Sequence, residues 1–186
     1  MAFFGAILFY GYHSKAAAHK VFGNMTYYTS SPYIVEKMTL HNGTATAYNG
    51  LLYYTYIYER QYVYGDFNKD GLKDAAVLVY DGEENAGGYD LAFLINDGSH
   101  LVHRGSCYLG RRVIIKSLRE HNGHVIVRKL VSEGDDWVVG RDRPVMDVYN
   151  YLDPKLEIQR YPLSQNSENS EATIPLHVNK TAFTLA

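Results

Sequence analysis

The sequence predicts a mainly β, antiparallel meander sheet in a single domain, with one short helix near the N-terminus. Three observations carry this expectation. Eighteen tyrosines among 186 residues, many alternating as in Tyr53-Tyr54-Thr55-Tyr56-Ile57-Tyr58, suit a pleated, half-buried surface. An unbroken apolar run, Ala75-Ala76-Val77-Leu78-Val79-Tyr80, has the length and β-branched content of a buried strand. Asx-Gly pairs at Asn42-Gly43, Asp97-Gly98 and Asn122-Gly123 tolerate the positive φ that tight hairpins require.

The elements follow in order. Ser14 to Phe22 admits a short helix, the one stretch where helical spacing is plausible. Val35 to Leu40 is a short strand ending at the His41-Asn42-Gly43 turn, and Tyr53 to Tyr64 is a second strand. Ala75 to Tyr80 is a third, followed by a polar turn from Asp81 to Gly88 and a strand from Tyr89 to Ile95. Asn96-Asp97-Gly98-Ser99 turns the chain into Leu101 to Leu109, and Val113 to Leu118 continues the meander. Asn122-Gly123 then leads to Val125 to Val131. A strict two-residue loop there sets Lys116 opposite Lys129, a like-charge pair that a sheet disfavours. Val145 to Leu152 is expected as the last strand. From Leu163 the chain is rich in Ser, Asn and Glu without periodicity.

These readings divide the chain into a leader over 1–23, a β domain over 24–163 and a loose polar tail over 164–186. Met1 to Tyr10 is apolar but shorter than the ~20 residues that span a bilayer. Ala16-Ala17-Ala18 has the small-x-small pattern of a signal-peptidase site, although no basic segment precedes it. The expectation is a periplasmic or secreted protein, against the alternative of an ordinary amphipathic N-terminal segment. No spanning membrane segment is expected.

Composition narrows the function classes. Eighteen Lys and Arg against twenty Asp and Glu give a formal charge of −2, which lacks the basic footprint of a nucleic-acid binder. Cys107 is the only cysteine, so no internal disulfide and no thiolate zinc site can form. A Tyr-rich face is a candidate surface for an envelope protein or a glycan; the plainer reading is tyrosines lining the sheet with hydroxyls at the water edge.

The most suggestive motif is Gly65-Asp66-Phe67-Asn68-Lys69-Asp70-Gly71-Leu72-Lys73-Asp74. Asp66, Asn68 and Asp70 would offer side-chain oxygens to a calcium ion, Leu72 a backbone carbonyl, and Asp74 a carboxylate directly or through water. The twelfth position is Val77, where an EF-hand needs a bidentate Glu, so this is not an EF-hand. Lys69 and Lys73 dilute the negative field, and binding is expected on the order of 10⁻⁴ to 10⁻³ M. The competing reading is a metal-free turn whose side chains cap backbone N–H groups.

Asn24-Met25-Thr26-Tyr27, Gly65 to Val79, Gly87-Gly88 before Leu91 to Asn96, Leu109-Gly110-Arg111-Arg112-Val113, and Lys116-Ser117-Leu118 before Asn122-Gly123 occur in that order. Together they resemble an uncharacterised family of exported bacterial proteins with a G-D-L-N-G-D-G-x-x-D-A-A-V segment, L-G-D-R-V and a K-S-L…N-G hairpin. The Asp loop alone is similar to the calcium loops of integrin-type surface-repeat (VCBS/FG-GAP-like) blades. The resemblance implies export and one compact β-rich domain, and brings no reaction. Lys69 stands where the family has Gly, Arg111 where it has Asp, and a Cys-Cys-Pro segment is replaced by roughly Asp135-Asp136-Trp137-Val138.

Catalytic constellations are sparse. His121 and His124 flank a turn without further zinc ligands in view, and His100 and His103 fall on opposite faces of a regular strand. No Gly-x-Ser-x-Gly elbow occurs, and Ser106-Cys107 has no paired base in the sequence pattern. Asp81, Glu83, Glu84 and Asp90 are candidates for a hydrolytic carboxylate pair, against the reading of a solvated acidic loop. The reading is an exported binding or structural module with a calcium-stabilised loop; the alternative is a carboxylate-dependent hydrolase of the cell envelope.

Overall fold

The computed structural model describes residues 15–28, 37–48, 53–83, 87–132, 142–152 and 155–162. The expected tail over 164–186 and the Asp135–Val138 segment lie outside these residues. The chain runs α1 (Lys15–Phe22), β1 (Thr26–Tyr28), β2 (Lys37–Thr39), β3 (Thr44–Tyr48), β4 (Tyr53–Gly65), β5 (Asp74–Glu83) and β6 (Gly88–Asn96). It continues with β7 (Leu101–Arg111), β8 (Ile114–His121), β9 (His124–Ser132), β10 (Asp142–Leu152) and β11 (Lys155–Pro162). The fold is mainly β and antiparallel, as the sequence predicts.

Two meanders account for most of it. Strands β3-β4-β5-β6-β7 form one sheet in sequence order, β11-β10-β9-β8 form a second, and β1-β2 make a small third. Strand β5 sits at the centre of the first sheet, which explains its unbroken apolar run. Ala75, Val77 and Val79 pack with Ala18, Phe22, Tyr27 and Met38 on one face. Ala76 and Leu78 pack with Val125, Val127, Tyr149 and Tyr151 on the other. Both faces of a central strand are therefore buried, and alternation disappears from the sequence.

Strands β1, β3 and β11 were not expected, and β11 displaces Val145–Leu152 as the last strand. Ala45 and Ala47 of β3 give too little side chain to show a period, although they pack on the core. The polar turn expected from Asp81 is part of β5, where Asp81 is buried. Turn chemistry performed as its residues dictate: Asn42 and Gly43 have φ of 52° and 90°, and Asn122 and Gly123 have 51° and 78°. The Lys116–Lys129 clash is avoided by a bulge. Ser117 pairs with Arg128 and Ile115 with Lys129, so Lys116 drops out of the register.

Residues assigned to the leader contribute to the core. Helix α1 coincides with the expected short helix, and its Ala18 and Phe22 are fully buried against β4 and β5. No helix among the described residues is long and apolar enough to cross a membrane.

Candidate functional site

The Asp loop joins the end of β4 to the start of β5. Lys69 and Gly71 both adopt positive φ, 63° and 85°, so the chain coils tightly between the strands. Asp66 then receives two backbone donors, with Asp70 N at 3.1 Å from Oδ1 and Gly71 N at 3.0 Å from Oδ2. Asn68 Oδ1 accepts from Asp70 N at 3.2 Å, and its amide nitrogen donates to Asp70 Oδ2 at 2.7 Å. Leu72 enters through its N–H, which donates to Asp70 Oδ1 at 2.7 Å. Phe67 anchors the loop in the inter-sheet core, edge-on to Phe93 at 5.5 Å.

Asp74 behaves differently from the other four. It is fully buried, whereas Asp70 is exposed. Its Oδ2 accepts from Phe67 N at 2.7 Å and Asn68 N at 3.4 Å, and its Oδ1 accepts from Asn96 N at 2.9 Å. Burial pushes its carboxyl pKa up, partly offset by the N–H groups of Asn96, Phe67 and Asn68. Asp74 thus ties the loop to the β6 end. Among the described residues no group of three or more His, Cys, Asp or Glu side chains is gathered for a metal. A calcium ion would find Asp66, Asn68 and Asp70 in one partly exposed turn, and would have to compete with the N–H groups they now accept.

The neighbouring element is the β8–β9 turn. A Cβ on Gly65 would meet Glu120 Cγ at 3.0 Å, and one on Gly123 would meet the Asp66 carbonyl oxygen at 3.2 Å. Glu120 Oε1 caps Gly123 N at 2.8 Å. His121 and His124 do pair across the turn.

A second polar group, absent from the sequence expectations, lies between the two large sheets. Lys129 and Asp147 are both buried, with Nζ 2.9 Å from Oδ2. Lys129 Nζ also donates to the Leu109 carbonyl at 2.6 Å, reaching across to β7. Arg160 of β11 clamps Asp147 with Nε at 2.7 Å and Nη2 at 2.9 Å, and Tyr149 OH donates to Oδ2 at 3.2 Å. Burial alone would raise the Asp147 carboxyl, but Arg160 hydrogen bonds and the Lys129 charge hold it below its ordinary value. Nearby Cys107 is pushed up to about 12 by burial, which makes it a poor thiolate nucleophile. The signal was present in the phase of the strands. Lys129 falls in step with inward Val125 and Val127, and Asp147 in step with Tyr149 and Tyr151.

Strand β7 also departs from regular spacing. A register shift leaves Arg104 unmatched, with His103 opposite Leu94 and Gly105 opposite Phe93. His103 and Ser106 therefore share a face, and His103 Nε2 lies 2.9 Å from Ser106 Oγ. The imidazole stacks on Tyr28 at 5.3 Å and meets the Tyr27 edge at 6.1 Å, and burial lowers its pKa to about 4. Among the described residues no carboxylate bonds the imidazole to orient the ring, as a nucleophile-base pair needs.

The remaining acidic candidates split. Asp81 and Asp90 are buried on one face of adjacent strands, offset by two residues, since Asp81 pairs with Gly88 and Asp90 with Val79. Glu84 lies outside the described residues. Tyr27, Tyr58, Tyr149 and Tyr151 are buried in the two cores, while Tyr28 is 47% exposed. No family model, curated protein or solved structure matches the chain.

Proposed function

We propose that the protein is a non-catalytic β module with a binding or structural role outside the cytoplasm, its Asp66–Asp74 loop weakly taking calcium. The observation that carries the reading is how the conspicuous polar side chains are used. Asp147 accepts from Lys129, Arg160 and Tyr149, Asp74 from three backbone N–H groups, and Cys107 is held as a thiol. These groups build the fold and leave little for chemistry. In the loop Asp66, Asn68 and Asp70 also accept backbone N–H groups, but their oxygens share one partly exposed turn where a cation can compete for them.

Calcium that binds only the folded state raises its stability. With a dissociation constant of ~0.3 mM, 10 mM calcium adds about 2 kcal/mol through RT ln(1 + [L]/Kd). Magnesium gives much less, because it keeps its water shell. A melting curve that calcium leaves unmoved, together with no heat in a millimolar titration, would reduce the loop to a turn.

The second reading, a carboxylate-dependent hydrolase, is favoured by the shared face of Asp81 and Asp90. Purified protein should then cleave a chromogenic ester or glycoside, and Asp90→Asn should abolish that turnover without lowering Tm. Absence of turnover across such a panel supports the module.

A further inference from the structure

The Ala16-Ala17-Ala18 segment has the residue pattern of a processing site, yet it lies within the first turn of α1. Ala18 and Phe22, four residues apart, present one face of this helix to the five-stranded sheet, and both are fully buried. Val21 and Met25 pack beside them. Phe22 contacts the rings of Tyr58, Tyr62 and Tyr64 at centroid distances of 5.8, 5.1 and 6.0 Å. Its carbonyl accepts from Tyr27 OH at 2.7 Å. The helix end is fastened as well. Gly43 N donates to the Gly23 carbonyl at 2.7 Å, and a Cβ on Gly23 would fall 2.9 Å from Gly43 N. Asn24 closes the last turn through Nδ2 to the Lys20 carbonyl at 2.9 Å and receives Asn42 N at 3.0 Å.

A cut after Ala18 would leave His19 to Phe22, a single turn. A turn that short does not hold a helix alone, and it would lack the residue that fills the step beside Phe22. The sheet face under α1 would then be opened along Tyr58, Tyr62 and Tyr64 of β4. We propose that α1 is a permanent part of the folded domain, so that Ala16-Ala17-Ala18 is a packing segment and any export cut lies before Lys15. Of the three alanines it is Ala18 that is fully buried between helix and sheet, where a larger side chain would have to displace close-packed neighbours.

The test follows the full chain. Its N-terminus is read by intact mass after expression, from whichever compartment holds it, for wild type, Ala16→Asp and Ala18→Asp. Ala16 is exposed, so Ala16→Asp spoils the peptidase pattern while sparing the packing. The expected result is an N-terminus at or before Lys15, unchanged by Ala16→Asp. Ala18→Asp should lower Tm by more than about 5 °C, because a carboxylate is forced into the core. If Ala18→Asp yields no folded protein, Ala18→Ser gives the milder reading, a smaller drop in the same direction. A mature chain starting at His19, with processing blocked by Ala16→Asp, would overturn the proposal. Recovery from the cytosol with Met1 intact would end the export reading and leave this one standing.

Discussion

The two faces of the five-stranded sheet are both buried, but by different chemistry. Under α1 and the β1-β2 pair the filling is aromatic and aliphatic: Phe22, Tyr27, Tyr58, Met38 and Leu40, with His103 at the border. Under the four-stranded sheet the filling is also apolar, from Phe67, Phe93, Val125 and Tyr151, but it encloses the Lys129–Asp147–Arg160 group. The first face depends chiefly on shape and area, its polar members being the Tyr27 hydroxyl on the Phe22 carbonyl and the Asp81 and Asp90 carboxylates at the far end of β5 and the start of β6. The second adds directional bonds that reach from β9 to the Leu109 carbonyl on β7 and so link the sheets at a fixed offset. A dry face tolerates repacking, whereas a buried ion pair punishes the loss of either member.

The largest expected effect is therefore on the ionic face. Asp147→Ala leaves Lys129 buried without its counter-ion and should cost about 3–5 kcal/mol, read from urea unfolding. Replacing Lys129 by Met and Asp147 by Leu together should recover most of that loss, since both desolvated charges disappear. If the double variant is as unstable as Asp147→Ala, the group contributes more than charge balance. On the dry face, Phe22→Ala should cost about 3 kcal/mol as a cavity opens among Tyr58, Tyr62 and Tyr64. The mutant crossing either interface should not change the other, because the two clusters share no residue.

Acid separates the faces by pH. His103 has a folded pKa of about 4 against an unfolded value of 6.5, so the unfolded chain binds the extra proton first. The favourable term is fully present above pH 6.5 and is lost as pH falls towards 4, up to about 3 kcal/mol. Asp147, whose folded pKa is depressed, contributes stability above its unfolded value of 3.8, lost only as pH falls below that. Melting between pH 7 and pH 4.5 should thus weaken first around Tyr27, Tyr28 and His103, followed by amide exchange. His103→Phe should flatten that part of the profile. An unchanged profile would mean that the imidazole is not desolvated in solution.

How much of this the sequence discloses depends on whether a residue acts in step with its strand. Val77 and Val79, Asn42-Gly43 and Asn122-Gly123 act locally, and the strands and turns they imply are present. The His103–Ser106 contact and the exclusion of Lys116 arise from bulges, which add one residue and reverse every face assignment beyond them. No local pattern marks those positions. Lys129 and Asp147 were visible as charges in an apolar phase, but their mutual approach depends on β9 and β10 being neighbours. For the Asp loop, spacing identified an inward-turning coil. It could not separate Asp74, which is drawn into the β6 end by Asn96, from the three residues that remain in the turn.

The smallest effect is also the cleanest test of the loop. Lys69 stands at φ 63°, where a side chain costs roughly 1 kcal/mol and Gly costs little. Lys69→Gly removes that strain but gives the unfolded chain more freedom, so the net gain should be about 0.5 kcal/mol. Gly71, at φ 85°, is the reverse case. A Cβ there meets nothing within 4 Å, so Gly71→Ala has no steric neighbour to move and reports the backbone penalty alone, a loss of about 1 kcal/mol. Opposite signs at two positions two residues apart would show that the turn keeps this geometry in solution. Repeating both measurements in 10 mM calcium adds the ion. Lys69→Gly also removes a positive charge beside Asp66, Asn68 and Asp70, so its calcium-induced rise in Tm should exceed that of the wild type, while Gly71→Ala should lose most of the response. Equal calcium responses in all three proteins would place any bound ion elsewhere.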